Sequence, residues 1–164
     1  PGDRVILAVP PSIAHTLMPE IVTPDEFRPI VNGHFRVPKK SKDVSFMGLV
    51  GSIAHWLFVR GDMVSITVSA ATDLVPQSNS DIADCLWSDI CIALDLGDCL
   101  MGEHRIVKEK RATFAQTPEQ LLKRSGAKTQ WQNLALAGDW TATGLPATIE
   151  GTIRSGNTAA SFVF

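Results

Sequence analysis

Leu134-Ala135-Leu136-Ala137-Gly138-Asp139-Trp140-Thr141-Ala142-Thr143-Gly144-Leu145-Pro146-Ala147-Thr148-Ile149-Glu150-Gly151 reads as a short apolar strand, a loop of small residues and the start of a helix. That order brings backbone amides against an anionic or electron-rich ligand. Gly138 lacks a side chain and leaves room for a ligand, while Asp139 at the strand's end can accept hydrogen bonds from sugar or ribityl hydroxyls. Pro146 suits a first helical turn, where its missing N–H is no loss. A helix starting there points the amides of Ala147, Thr148 and Ile149 outward at the positive end of its dipole. The simpler alternative is a capped helix after a buried strand, with Asp139 a turn residue. Glu150 and Arg154, four apart, are placed to pair on the helix surface, and Gly151 and Gly156 to pack against a strand.

Moving outward, Thr117-Pro118-Glu119-Gln120 looks like the cap and first turn of a short helix, and Arg105 to Phe114 like a strand. Ser78-Asn79-Ser80-Asp81 caps an amphipathic helix through Ile82, Ala83, Leu86, Ile90 and Leu94 that ends near Gly97. From Ser45 to Ala71 the pattern is strand-like. Arg60-Gly61-Asp62 joins His55–Val59 to Met63–Ala70 in a hairpin, with Val64, Ile66 and Val68 on one face and Ser65, Thr67 and Ser69 on the other. Pro29 to Val37 reads as a strand, with Asn32-Gly33 a candidate bulge or turn. Val5 to Val9 fits a strand buried on both faces, followed by a helix capped by Ser12 and stopped by Pro19. Pro1-Gly2-Asp3-Arg4 runs straight into that strand without Met or leader, the expected look of a chain cut from something longer.

Composition excludes several function classes. Fifteen basic and seventeen acidic residues leave a formal charge of −2, and 45% of the 164 residues are apolar, so one folded core is expected and nucleic acid is not an expected partner. The runs Lys39, Lys40, Lys42 and Lys108, Lys110, Arg111 read as solvated surface. Cys85, Cys91 and Cys99 form no C-x-x-C pair and read as core thiols suited to a reducing cytoplasm. His15, His34, His55 and His104 lack metal-ligand spacing and read as structural or surface residues. No apolar run approaches the roughly 18 to 20 residues that span a bilayer. Trp56, Trp87, Trp131 and Trp140 read as packing residues, although Trp140 follows Asp139 and could border a site.

Ala137-Gly138-Asp139-Trp140-Thr141, then Gly144-Leu145-Pro146-Ala147-Thr148-Ile149-Glu150-Gly151, then Arg154-Ser155-Gly156 closely resembles the carboxy-terminal motif of the flavin amine oxidase and phytoene (carotenoid) desaturase superfamily. The wording is particularly similar to the squalene-associated branch. Val5 to Pro11 resembles the superfamily strand that runs from the substrate domain back to the FAD domain. The strong motif covers about a quarter of the chain, and a weaker likeness extends along most of it.

The resemblance implies an α+β fold: an antiparallel substrate-domain sheet with helices, plus the carboxy-terminal strand-loop-helix of an FAD-binding α/β domain. It implies an FAD-domain connection and first helix over residues 1–20, a substrate-binding domain over 21–116, and an FAD-contacting segment over 117–164. Asp139 would bind the ribityl or pyrophosphate region with Gly138 making room, Ala147, Thr148 and Ile149 would line the pyrimidine edge of the flavin, and Ser45–Ala71 would floor the substrate pocket. No G-x-G-x-x-G opens the chain, so the adenine half of FAD has no visible binding element and this piece alone is expected to bind FAD weakly or not at all.

The implied activity is FAD-dependent oxidoreduction of an apolar polyisoprenoid, with reductive dehydroxylation of hydroxysqualene to squalene in hopanoid synthesis the specific expectation and NADPH a candidate reductant. A phytoene-type desaturase and an amine oxidase are the alternatives; the absence of Tyr disfavours the aromatic cage an amine oxidase needs. A non-enzymatic packing module is a third reading. Expected partners are the missing amino-terminal FAD-binding portion, the cytoplasmic face of the membrane by peripheral contact, and a second copy of the chain. No acid or base residue is named.

Overall fold

A computed structural model describes residues 2–37 and 46–163; the Lys39, Lys40, Lys42 run and the Ser45 start of the central strand region lie outside them. In chain order the elements are β1 (Val5–Leu7), α1 (Pro11–Leu17), β2 (Phe27–Arg36), β3 (Phe46–Gly48), β4 (Trp56–Arg60), β5 (Met63–Ser69), α2 (Asn79–Leu94), β6 (His104–Phe114), α3 (Pro118–Leu122), β7 (Leu134–Leu136) and α4 (Ile149–Val163). The fold is α+β. The chain divides into two compact units, residues 1–27 with 113–164, and residues 28–112.

The middle unit is a sheet of order β3-β4-β5-β2-β6. β2 pairs antiparallel with β5, β5 with β4, and β4 with β3. Strand alternation sends Val64, Ile66 and Val68 inward as the sequence predicts, with Val31, Phe35 and Leu57 beside them. Ile82, Ala83, Leu86, Trp87 and Ile90 of α2 close this core from one side, each large aliphatic group contributing about 1.5–3 kcal/mol when fully buried. Ser78 caps α2 through its side chain, accepting from the Asp81 amide at 3.0 Å. The helix ends on Asp95, in the left-handed region at φ 52°, two residues before Gly97. The Asp89 carboxylate accepts from the Ala54 amide at 2.9 Å and ties α2 to the loop before β4.

Two local expectations change here. Asn32-Gly33 is neither bulge nor turn: Gly33 sits in unbroken register opposite Ile66. It is glycine because the core presses on it. A β-carbon there would lie 2.6 Å from the Phe35 ring, 3.0 Å from Ile66 and 3.1 Å from Leu86. The hairpin turn is tighter than drawn from sequence, since Arg60 pairs with Met63 and only Gly61 and Asp62 remain outside the ladder.

The other unit joins the two ends of the chain. β1 and β7 form a parallel pair, Val5 opposite Leu134 and Leu7 opposite Leu136, and α4 packs on both. Ala135, Ala137 and Ala159 are small enough to let helix and strands approach closely, with Val163 and Ile6 filling the remainder. β1 is shorter than Val5–Val9 and is not buried on both faces; Val5 is 42% exposed. Pro10, rather than Ser12, precedes the first turn of α1, and its carbonyl accepts from the amides of Ile13 and Ala14 at 3.0 Å each. Thr117 caps α3 as expected. The buried Gln120 then reaches back to the segment before β2, accepting from the Asp25 amide at 2.9 Å and the Glu26 amide at 3.2 Å and donating to the Asp25 carboxylate at 2.8 Å. Lys123 pairs with the same carboxylate and, with Gln120, holds its pKa below the usual carboxylate range.

Replacing Gly33 with alanine is expected to overpack the sheet–α2 core and lower unfolding free energy by about 1–3 kcal/mol. Urea denaturation followed by tryptophan fluorescence measures it; a change within 0.3 kcal/mol of zero, about the noise of such a comparison, would show that the ring of Phe35 moves aside freely.

A candidate flavin-contacting loop

Because β1 and β7 run parallel, their carboxyl ends emerge together, and the backbone after each continues on the same side of the pair. The Trp140 indole N–H donates to the Val9 carbonyl at 2.9 Å and locks these two exits to each other. Trp140 is 1% exposed and belongs to the core with Ala14, Met18, Phe114 and Leu136. It is a packing residue.

Gly138 adopts φ 149°, and a β-carbon on it would fall 2.6 Å from the Trp140 indole nitrogen. The space that glycine opens is therefore filled by Trp140. The Gly138 amide donates to the Ser155 hydroxyl at 2.8 Å, and the Gly138 carbonyl accepts from the Thr141 amide at 3.1 Å and the Thr141 hydroxyl at 2.8 Å. Ser155 in turn donates to the Thr152 carbonyl at 2.7 Å. Both polar groups of Gly138 are thus engaged within the chain, and Ser155 anchors α4 to the end of β7. Of the two helix glycines read as packing positions, Gly151 is buried against the loop, whereas a β-carbon on Gly156 would meet only open space.

Asp139 is half-buried, and its backbone carbonyl is held at 2.9 Å by the Arg124 guanidinium. Among the described residues none donates a hydrogen bond to its carboxylate, whose charge acts on the nearby Arg124 guanidinium. Arg124, a residue the sequence reading overlooked, organises the whole loop. It donates to the Leu145 carbonyl at 2.7 Å and the Thr143 hydroxyl at 3.0 Å as well as to Asp139, and its guanidinium carbon lies 5.3 Å from the centre of the Phe114 ring. Its Nε is buried without a hydrogen-bond partner. Burial pulls the guanidinium pKa below its ordinary value and the Asp139 charge pushes it back up; the group remains cationic near neutral pH. Nothing in the local sequence marks Arg124, because its partners lie 15 to 21 residues away.

The helix start also moves. α4 begins at Ile149, three residues after Pro146, because the Thr148 hydroxyl accepts from the Gly151 amide at 3.1 Å and the Thr148 carbonyl from the Thr152 amide at 3.0 Å. Thr148 is therefore the cap and Ala147 lies in the loop. Among the described residues, no group accepts from the amides of Ala147, Thr148, Ile149 or Glu150. Thr148 and Ile149 are exposed, Ile149 at 83%. Glu150 and Arg154 pair at 2.7 Å as expected. A half-buried carboxylate without a donor, unpaired amides at a helix start and one cation behind the loop form an arrangement that can take hydroxyls at one side and partial negative charge at the other. Two cavities of this unit lie away from the loop. One of about 380 Å³ is lined by Ile21, Lys128 and Trp131 among others, and one of about 270 Å³ by Trp131, Leu134 and Phe162.

The family model for flavin containing amine oxidoreductase matches residues 1–163. The chain belongs to this family. It is 46% identical over 163 residues to a hydroxysqualene dehydroxylase of Rhodopseudomonas palustris, covering 99% of this chain and 39% of that protein. It is 48% identical over 160 residues to a hydroxysqualene dehydroxylase of Sinorhizobium fredii, covering 98% and 38%. A 15-cis-phytoene desaturase from an Oncidium hybrid is 24% identical over 196 residues, covering 99% and 33%. Among solved structures, a protein described as a protoporphyrinogen oxidase from Exiguobacterium shares the fold with a TM-score of 0.65 at 11% identity, over 97% of this chain and 40% of that one. The chain thus spans about two fifths of the length of the curated relatives it matches. The match runs through both units.

The histidines have ordinary partners: His15 contacts the Ile21 carbonyl, His55 accepts from the Ser69 amide and His104 contacts the Gly102 carbonyl. Among the described residues no cluster of His, Cys, Asp or Glu could hold a metal ion. Burial raises the pKa of the Cys91 thiol, with Cys99 adding to the shift.

Replacing Arg124 with methionine keeps much of the stem but removes all three loop hydrogen bonds, and is expected to cost about 2–4 kcal/mol. Gly138→Ala introduces both a clash with Trp140 and an unfavourable φ, and is expected to cost roughly 2–4 kcal/mol. Thermal denaturation of each variant checks both; a loop that tolerates either change would have to be held by something other than these contacts.

Proposed function

We propose that this chain is the carboxy-terminal part of an FAD-dependent oxidoreductase acting on an apolar polyisoprenoid, and that its reaction is the reductive dehydroxylation of hydroxysqualene to squalene. The observation that carries the reading is the Asp139 carboxylate standing without a donor at the end of β7, beside a helix start whose first amides are unpaired. Identities of 43–48% to three hydroxysqualene dehydroxylases support the substrate class.

The residues present fit a flavin on this side of the chain. Asp139 would accept from ribityl hydroxyls, and Gly138 would shape the turn that presents it. The amides of Ala147, Thr148 and Ile149 would face the pyrimidine edge, where a helix amino terminus typically contributes about 0.3–1 kcal/mol toward negative charge. Arg124 would keep the loop rigid and cationic from behind. When bound, the flavin supplies hydride chemistry. Residues 21–116 would serve as the substrate-binding domain, with residues 1–20 forming the end of the FAD-domain connection and the first helix, and residues 117–164 contacting the cofactor.

The finer attributes follow from this reading. NADPH is the candidate reductant, and the adenine half of FAD is held by sequence outside this chain. A hydrocarbon substrate partitions into lipid, so peripheral contact with the cytoplasmic face of the membrane is expected. Among the described residues no helix is long and apolar enough to cross a membrane, and α1 exposes Ile13 and Leu17. A homodimer remains part of the proposal. The second reading is a phytoene-type desaturase, favoured by the 24% identity to the Oncidium protein over nearly the whole chain.

The longer protein carrying this chain should purify yellow with flavin absorbance, and the chain expressed alone should be nearly colourless. It should convert hydroxysqualene and leave phytoene unchanged; the opposite preference establishes the desaturase. Asp139→Ala should lower flavin occupancy at least tenfold, about 1.4 kcal/mol of binding. A fully loaded Asp139→Ala protein would remove Asp139 from the flavin site.

A further inference from the structure

The last turns of α2 and the segment leading to β6 bring two of the three cysteines together. The buried Trp87 of α2 donates its indole N–H to the Cys99 carbonyl at 3.0 Å, which ties residue 99 to the helix face at position 87. Cys91 stands four residues further along α2, one turn on and on the same face. Helical side chains lean back over the turn that precedes them, so the Cys91 thiol leans toward the turn that receives Cys99. The chain between the two doubles back tightly. Asp95 and Gly97 take left-handed backbone at φ 52° and 60°, and the Leu96 amide donates to the Cys91 carbonyl at 3.0 Å. Both cysteines are half-buried and pack against the core of the middle unit.

The same geometry sets Cys85 apart. Six residues of helix separate it from Cys91, a rise of about 9 Å, whereas a disulfide joins α-carbons no more than about 7 Å apart. Cys85 also lies two residues before Trp87, about 200° round the helix from the face that holds Cys99. Cys91 and Cys99, in contrast, act on each other. Burial raises the pKa of the Cys91 thiol and Cys99 adds to the shift, so the two sulfurs are near enough for the charge of one to be felt by the other.

We propose that Cys91 and Cys99 are a reversible redox site that closes to a disulfide on reaction with a hydroperoxide. The first step falls to Cys99, which sits between the exposed Asp98 and Leu100, because burial holds Cys91 as the thiol. The Cys99 thiolate attacks hydrogen peroxide; the O–O bond breaks, hydroxide leaves and Cys99 becomes a sulfenic acid. The Cys91 sulfur gives up its proton and attacks the Cys99 sulfur, the S–OH bond breaks and water leaves. Two thiols and one hydrogen peroxide give one disulfide and two waters, with two electrons passing from sulfur to oxygen. The bridge fastens the end of α2 to the approach of β6 and restrains the loop between them. A thiol reductant reopens it. This site stands apart from the flavin and substrate readings, and neither is needed for it.

The test exposes the folded longer protein to dilute hydrogen peroxide, blocks the remaining thiols by alkylation and cleaves before aspartate. Asp84, Asp89 and Asp98 then put Cys85, Cys91 and Cys99 on separate peptides. The peptide beginning at Asp89 should appear joined to the one beginning at Asp98, about 2 Da lighter than their sum for the two hydrogens lost. Dithiothreitol should part them, and Cys85 should stay free for alkylation. Cys91→Ser and Cys99→Ser should each abolish the link, and Cys85→Ser should leave it unchanged, with circular dichroism showing that all three variants fold. Oxidation should raise the melting temperature of the wild type by about 3–5 °C and leave that of Cys91→Ser and Cys99→Ser where it was. In urea the 85–91 and 91–99 loops have nearly equal closure entropy, so both links should form there, and selectivity for the second belongs to the fold. A folded protein that keeps both thiols under peroxide, oxidises them without joining them, or links Cys85 as readily, overturns the inference.

Discussion

Arg124 bonds three points of one loop at once, and the loop has no regular structure of its own to fall back on. The segment from Asp139 to Leu145 crosses from β7 to the approach of α4 without a ladder or a helix to satisfy its carbonyls, and irregular backbone of that kind keeps its shape only if side chains supply the missing partners. The guanidinium is suited to this because its donors are fixed in one plane and its charge strengthens each bond. It also pays a price, visible in the buried Nε with no partner and in a pKa drawn down by burial. A neutral donor would avoid that cost but could not reach Asp139, Thr143 and Leu145 together.

Rigidity of the loop matters because the residues that would face a ligand are not held directly. Asp139 is positioned through its backbone carbonyl, and among the described residues no donor bonds its carboxylate. The start of α4 is positioned through Ser155, two turns into the helix, bonding the Gly138 amide. In both cases the fixing contact lies behind the group presented. That separation lets a binding surface be preorganised without its own hydrogen-bonding capacity being used up.

The strand, loop and helix order was legible in the sequence because each part is a local signal: a small apolar run, a Gly/Thr-rich loop, and a helical pattern after a capping residue. The hairpin and α2 were legible for the same reason, through alternation at Val64, Ile66 and Val68 and through capping at Ser78. What the sequence obscured was a set of choices between two plausible local signals. Pro146 announces a helix start, yet the helix begins after Thr148, because the Thr148 hydroxyl reaches the Gly151 amide. Gly33 announces a turn, yet its absent side chain serves Phe35 and Leu86 across the core. Arg124 announces nothing, since its role exists only once the chain has folded back over fifteen residues and more.

Gly138 and Gly33 share a physical logic that bears on how sites are read. Both were natural candidates for backbone freedom or ligand approach, and in both the space is filled by an aromatic ring of the same chain, Trp140 in one case and Phe35 in the other. A glycine beside a bulky aromatic two residues on is therefore ambiguous from sequence: the same pair can open a surface to a ligand or close it with the chain's own side chain. The parallel pair β1–β7 resolves the ambiguity here, because the Trp140 indole reaches across to the Val9 carbonyl and occupies the place where a β-carbon on residue 138 would be. Among the described residues, the side chain of the next residue, Asp139, receives no hydrogen bond.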